Sequence, residues 1–205
     1  MLGRTYEKIR NLFEREGGYV STRKLLDEKV STIHIKELVD SKDIEKVSHG
    51  NYWGTFLHID KPENHKMIEA CMTNKKAVIC GLSACRYHGL LKTEPKKMYI
   101  ATRRTDRGAM KLTFPVSRHY FSLENYEDDI ETWNYHDINV KVYGIDRSVA
   151  DVIRIADNHN DRSVREVINA YKERPDADIE RCIAYADAMR VGRIVRELLD
   201  VKYML

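Results

Sequence analysis

Cys80, Cys85 and His88 form the densest group of metal-capable side chains in the sequence, and the C-x-x-H spacing of the last two would let one helical turn aim both at one ion. Structural zinc ordinarily closes with two short-spaced ligand pairs, and a second pair is missing here. The four cysteines (Cys71, Cys80, Cys85, Cys182) are instead expected to be reduced and inert, buried as thiols commonly are. Nucleophilic chemistry has no better footing, because Ser83 lacks an evident base and orienting group, while Cys85 and His88 would share one side of a helix. "GLS" at 81–83 resembles the start of a phosphate-holding turn, yet no pair of carboxylates one residue apart follows shortly after it to hold Mg²⁺, the next acid being the isolated Glu94. The acidic run Glu127–Asp129 sits in a polar connector and is expected to be solvated. Arg147, Asp151 and Arg154 recur at helical spacing and are expected as a surface ion-pair ladder. No catalytic residue, metal or cofactor is expected.

Thr32, Ile33, His34 and Lys36 suggest another chemistry, the reading of nucleobases. They follow Ser31, a good N-cap, and precede the turn-bearing run "SHGN". A helix that merely supports a core spends its outer face on Glu and Lys pairs. This face instead carries groups that hydrogen-bond base edges (Thr32, His34) or touch a thymine methyl (Ile33). Arg23, Lys24 and Lys36, with Lys46, His49 and Asn51 in the following hairpin, are placed to meet phosphates or a minor groove.

The elements that must position these groups are legible from periodicity. "TYEKIRNLFEREGG" has apolar residues at helical spacing and ends on a Gly pair; "STRKLLDEK" begins at an N-cap and is expected to bury Leu25 and Leu26; Ser31 opens a third helix with Ile35, Leu38 and Val39 inward. "DIEKV" and "YWGTFLHI" then read as a hairpin. Helix, helix, turn, helix and hairpin is the order of a winged helix-turn-helix, expected over residues 1–60. "HIDKPENH" is the expected linker to a second domain, residues 65–205. There, "AVICGLSACRYHGLL" reads as one helix, "KKMYIATR", "VSRHYFS" and "INVKVYGI" as strands, and Asp146 as the cap of "RSVADVIRIAD". Two further helices follow, the last broken at Gly192. The fold class is thus α+β, a winged helix-turn-helix followed by a mixed α/β domain with a helical C-terminal tail.

The formal net charge of +3 is unevenly spread. In residues 1–60 ten basic side chains meet ten acidic ones, whereas residues 61–110 carry eleven basic against four acidic. Lys92, Lys96, Lys97, Arg103, Arg104 and Arg107 dominate that excess, a candidate phosphate-attracting patch. No apolar run approaches the ~18 residues of a membrane span, and the start "MLGRTYEKIR" is charged where an export signal is apolar. A soluble, cytoplasmic protein is expected.

The series "GGYVSTRKLLDEKVSTIHIKELVDSKDIEKVSHGNYWG", "AVICGLSACRYHGLL", "PKKMYIATRR", "FPVSRHYFS", "VKVYGIDRSVADVIR" and "IAYADAMRVGRIVRELL" resembles the AbiEi-type antitoxins of bacterial type IV toxin-antitoxin systems over nearly the whole chain. The resemblance implies an N-terminal winged helix that binds inverted repeats in its own promoter and represses it. It also implies a C-terminal domain that counteracts a nucleotidyltransferase-like toxin without needing a stable complex. By the same resemblance Thr32, His34 and Lys36, with His49, Asn51 and Tyr52 of the wing, match DNA-reading positions, and Lys96, Lys97, Arg103 and Arg104 match a positive C-terminal face. The chain departs from the family pattern at Lys42, where Gly is usual at the end of the third helix, and at His49, where Arg is usual. A winged helix used as a protein-docking adaptor, or a winged-helix regulator that is not an antitoxin, remains the alternative.

Overall fold

The computed structural model describes residues 3–201. They divide into two compact units: residues 3–75 with 108–113 and 133–140, and residues 76–107 with 114–132 and 141–201.

The first unit holds the winged helix-turn-helix. Helix α1 (Gly3–Arg15) buries Ile9, Leu12 and Phe13 on one face. The chain then turns through Gly17 and Gly18, both at positive φ, where a Cβ on Gly18 would fall 2.3 Å from the Trp53 ring. Strand β1 (Tyr19–Ser21), not expected from sequence, leads directly into α2 (Thr22–Asp27). Ser21 Oγ caps α2 by accepting from Lys24 N at 3.3 Å. The helix ends in a Schellman turn, with Val30 N bonded to Leu25 O and Lys29 N to Leu26 O, Lys29 taking the left-handed position usually given to Gly. Leu26 does not join Leu25 in the core. It is 47% exposed, because the turn that buries Leu25 rotates its neighbour outward.

Ser31 caps α3 (Thr32–Asp40) through its Oγ, and α3 ends at Ser41 with Lys42 at φ 64°. Lys42 therefore occupies a backbone conformation that favours Gly. Strands β2 (Glu45–Ser48) and β3 (Asn51–Trp53) form the wing, and the sheet order is β1-β3-β2. The second wing strand is shorter than expected: Gly54 starts a 3-10 turn, Thr55–Leu57, whose Phe56 packs edge-on to Phe13. Helix α4 (His65–Thr73) belongs to this same unit, so the boundary falls about ten residues later than the linker suggested. Its buried Glu69 explains why, accepting from Tyr19 Oη at 2.9 Å with Lys61 Nζ 2.8 Å away.

The second unit is built on a five-stranded sheet ordered β6-β5-β4-β8-β7, formed by β4 (Val78–Ile79), β5 (Met98–Arg103), β6 (Val116–Phe121), β7 (Ile130–Tyr135) and β8 (Ile138–Tyr143). Residues 133–140, the turn region of the last two strands, fall in the first unit. β5 runs parallel to β6 and β4 parallel to β8, while β4 and β5 are antiparallel. "AVICGLSACRYHGLL" is not one helix. Cys80 is extended at φ −138° and α5 (Gly81–Tyr87) starts only after it, leaving Val78–Ile79 to pair as a strand. Short α6 (Leu123–Tyr126) precedes β7, itself not expected from the polar run around Glu127. Helices α7 (Ile145–Ile155), α8 (Arg162–Lys172), α9 (Ile179–Ala188) and α10 (Gly192–Leu198) complete the unit around a core that includes Cys85, Val149, Ile153, Val167, Tyr171 and Val195. Asp146 is not a cap. Buried in the first turn of α7, it accepts from Tyr171 Oη at 2.7 Å and Asp178 N at 3.0 Å, anchoring the entry to α9. No helix among the described residues is long and apolar enough to cross a membrane.

Candidate nucleic-acid interface

Helix α3 presents an uncovered flank. Buried Ile35 and Leu38 mark its inward direction. At about 100° per residue, Ile33 lies within about 10° of the opposite direction, with Lys36 and Glu37 about 50° to either side. Ile33 is 69% exposed, and Ser31, Thr32, Lys36, Glu37 and Asp40 are exposed with it. His34 sits about 110° from that outward direction. It is half-buried, its Nδ1 enclosed, so it stands at the edge of the flank and not at its centre.

The remaining predicted contacts fall into two groups. Arg23, Lys46 and His49 are exposed, His49 at the wing turn, where Gly50 O accepts from Thr22 N at 2.7 Å. Lys24, Asn51 and Tyr52 are turned to structural work. Lys24 Nζ lies 2.8 Å from Asp137 and also pairs with Glu16. Burial lowers the pKa of its ammonium, but hydrogen bonds to Asp137 and Glu16 outweigh that and raise it. Asn51 donates to Ser48 Oγ at 2.9 Å and to the Met72 carbonyl, and Tyr52 packs on the first unit's core.

The basic residues of the second unit do not form one patch. Strand β5 separates Lys92, Lys96 and Lys97 at its start from Arg103, Arg104 and Arg107 at its end, a span of roughly 20 Å. Lys96 lines a cleft of about 530 Å³ together with Glu94, Asp157, Asp161 and Arg162, so carboxylates offset its charge. Lys92 and Lys97 are exposed; the Lys92 backbone N donates to Glu166 at 2.8 Å. Arg103 pairs with Glu127 and stacks 5.2 Å over Tyr126, while Arg104 and Arg107 remain exposed. The acidic run is likewise anchored, Asp129 pairing with Arg181 at 2.5 Å.

Other predicted centres resolve into core. Cys80 and Cys85 are fully buried, and burial pushes both thiols well above the ordinary range. His88 Nε2 is 2.7 Å from the Tyr143 carbonyl, and Ser83 Oγ accepts from Tyr99 N. No group of three or more metal-capable side chains occurs among the described residues. Arg147, Asp151 and Arg154 are no surface ladder: Arg147 is 1% exposed and Asp151 0%. Arg147 lies over Tyr143 at 4.2 Å, and Arg154 over Phe121 at 4.0 Å; their Nε atoms are 3.7 and 3.9 Å from Asp151 Oδ1. The helix is buried nearly all round, so its polar stripe faces sheet aromatics instead of water.

Burial pushes the Asp151 carboxyl up to about 6, against the pull of Arg147 and Arg154. The folded state therefore holds this proton at pH values where the unfolded chain, near 3.8, has lost it. Stability from this group falls as pH rises from about 4 to about 6, by about 3 kcal/mol in all, and is level above. Urea melts of wild type and Asp151→Asn across pH 4–7 measure it. The wild type should lose ground to the variant over that window, and a constant difference would refute the assignment.

No family model matches the chain, and no curated protein matches it. Among solved structures it is similar to the crystal structure of the RV2827C protein from Mycobacterium tuberculosis, at 14% identity and a TM-score of 0.53, over 100% of this chain and 84% of that one. At that identity the likeness bears on the fold alone, and it extends through both units.

Proposed function

We propose that the protein is a duplex-DNA-binding transcriptional autorepressor and the antitoxin of a type IV toxin-antitoxin system, paired in function with a nucleotidyltransferase-like toxin. The observation that carries the DNA-binding part is the uncovered flank of α3, where Thr32, Ile33, Lys36 and Glu37 stand together on the first two turns of a capped helix inside a winged helix-turn-helix. The N-terminal turns of such a helix are the ones that meet base edges. The antitoxin part draws on the sequence resemblance, and its test is growth rescue when this chain is co-expressed with a nucleotidyltransferase-like reading frame from beside its gene.

Lys36 and Lys46 are exposed and suited to phosphates. Replacing either by Ala is expected to weaken binding to all duplex sequences alike and to flatten the plot of log affinity against log salt by about 0.9 for each phosphate no longer neutralised. Gel shifts with the DNA upstream of the gene, run at several salt concentrations, measure both effects. Equal, weak binding by wild type and variants would sink the reading. A protein-docking role for the same face draws on exposed Leu26 and Ile33 and on the cancelling charges of residues 1–60. A stoichiometric partner that co-purifies after nuclease treatment would favour it.

A further inference from the structure

The cleft of about 530 Å³ lies wholly within the second unit, between α5, the start of β5, the end of α7 and the start of α8, and its lining divides by chemistry. Leu82, Leu91, Val152, Ile155 and Val164 give it an apolar floor, and Leu91, Val152 and Val164 are buried. The rim carries exposed charges of both signs: Asp157 and Asp161 in the connector from α7 to α8, with Lys96 and Arg162. Tyr99 joins the two zones. Its ring stacks on His119 at 5.8 Å and 2° from parallel, and its backbone N donates to Ser83 Oγ at 2.9 Å, so this wall is fixed before a ligand arrives. Burial, and then the charges of Asp157 and Asp161, push its phenol above the ordinary range, which sets both carboxylates on the tyrosine's side of the cleft.

Small-molecule sites have volumes of about 300–1,000 Å³, apolar walls and a few charged groups that fix orientation. A lone cation here would meet Lys96 and Arg162, and a lone anion would meet Asp157 and Asp161. A ligand that carries both charges at one end of an apolar body suits every part of the lining. We propose that the cleft binds a free apolar α-amino acid, its side chain on the floor, its ammonium donating to Asp157 and Asp161, and its carboxylate accepting from Lys96 and Arg162. A guanidinium can hold both carboxylate oxygens at once, which fixes the direction of the ligand. The inference does not rest on the DNA-binding role.

The experiment is calorimetric titration of the full chain with L-phenylalanine and L-leucine, beside phenethylamine, which lacks the carboxylate, and 3-phenylpropionate, which lacks the ammonium. Both amino acids should bind saturably, with a Kd of about 1 mM or tighter. Each singly charged analogue should bind about tenfold more weakly than L-phenylalanine, because it forfeits one set of charge-assisted hydrogen bonds. Asp161 Oδ1 also accepts from Ser163 N at 2.8 Å as the cap of α8, a role Asn fills as well. The double variant Asp157→Asn, Asp161→Asn should therefore fold, lose about tenfold in affinity for L-phenylalanine and hold 3-phenylpropionate no less tightly than wild type does. Lys96→Ala, at an exposed position, should weaken L-phenylalanine and leave phenethylamine unchanged or tighter. No saturable heat with either amino acid would overturn the inference. So would an analogue that binds as tightly as L-phenylalanine, since the cleft would then read one charge alone, or variants that bind every probe as wild type does.

Discussion

Replacing Arg147 by Ala is expected to cost about 4 kcal/mol of folding stability, the largest effect of any single substitution proposed for this chain. Three losses combine. The guanidinium lies 4.2 Å over Tyr143, 5.4 Å over Phe121 and 5.7 Å over Tyr185, so truncation opens a cavity among three rings. It also ends the bond from Nη1 to the Asp128 carbonyl at 3.1 Å. Asp151 is then left fully buried with Arg154 as its remaining cation, 3.9 Å away. Arg147→Met restores much of the volume without the charge, and it should recover part of the loss. It should also raise the pH at which Asp151 ionises, since the nearer of its two cations is gone. Chemical denaturation of both variants at pH 5 and pH 7 checks this. If Arg147→Ala unfolded at the wild-type midpoint, the side chain would have to be at the surface, as the sequence pattern alone suggests.

The burial of Arg147 and Asp151 is not written in their spacing. Charges at positions 147, 151 and 154 describe a stripe on a helix, but a stripe says nothing about what faces it. The available signal was its narrowness: Val149, Ala150, Val152 and Ile153 flank it, leaving α7 no water-facing side. Leu26 fails for the converse reason, since two adjacent leucines cannot both point inward from a helix of six residues. The split at Cys80 and the strand at Val78–Ile79 were hidden because a two-residue strand has no periodicity to read. By contrast, α1, α2 and α3 were legible because each carries local signals, the Ser21 and Ser31 caps and the Gly17–Gly18 turn. The parallel pairing of β5 with β6 depends on chain reversals far apart in sequence, and no local pattern encodes it. On the candidate interface, Ile33 and Lys36 were visible from spacing. Lys24 and Asn51 are held in structural contacts that no local pattern shows, because their partners, Asp137 and the Met72 carbonyl, lie far along the chain.

Ile33→Asp should abolish specific duplex binding, with a loss of at least about a hundredfold, while leaving the fold as stable as before. The two halves of this expectation rest on separate physics. Ile33 is 69% exposed, so its removal takes little from the core. An Asp at the second position of α3 also lies in the first turn, where the helix dipole favours a negative charge. Any stability change should therefore be small and favourable. Binding is weakened twice over. The apolar meeting with a thymine methyl disappears, worth about 1 kcal/mol, and a carboxylate without a matched donor is driven to the centre of the approaching face, costing about 2 kcal/mol more. Together these reach about 3 kcal/mol, which is the hundredfold. Wing-directed binding would behave differently, because Lys46 and His49 are untouched and affinity should then fall only slightly. Fluorescence anisotropy on upstream DNA, beside a thermal melt of the same preparation, separates the cases: wild-type affinity in the variant would move the DNA-reading surface off α3 altogether.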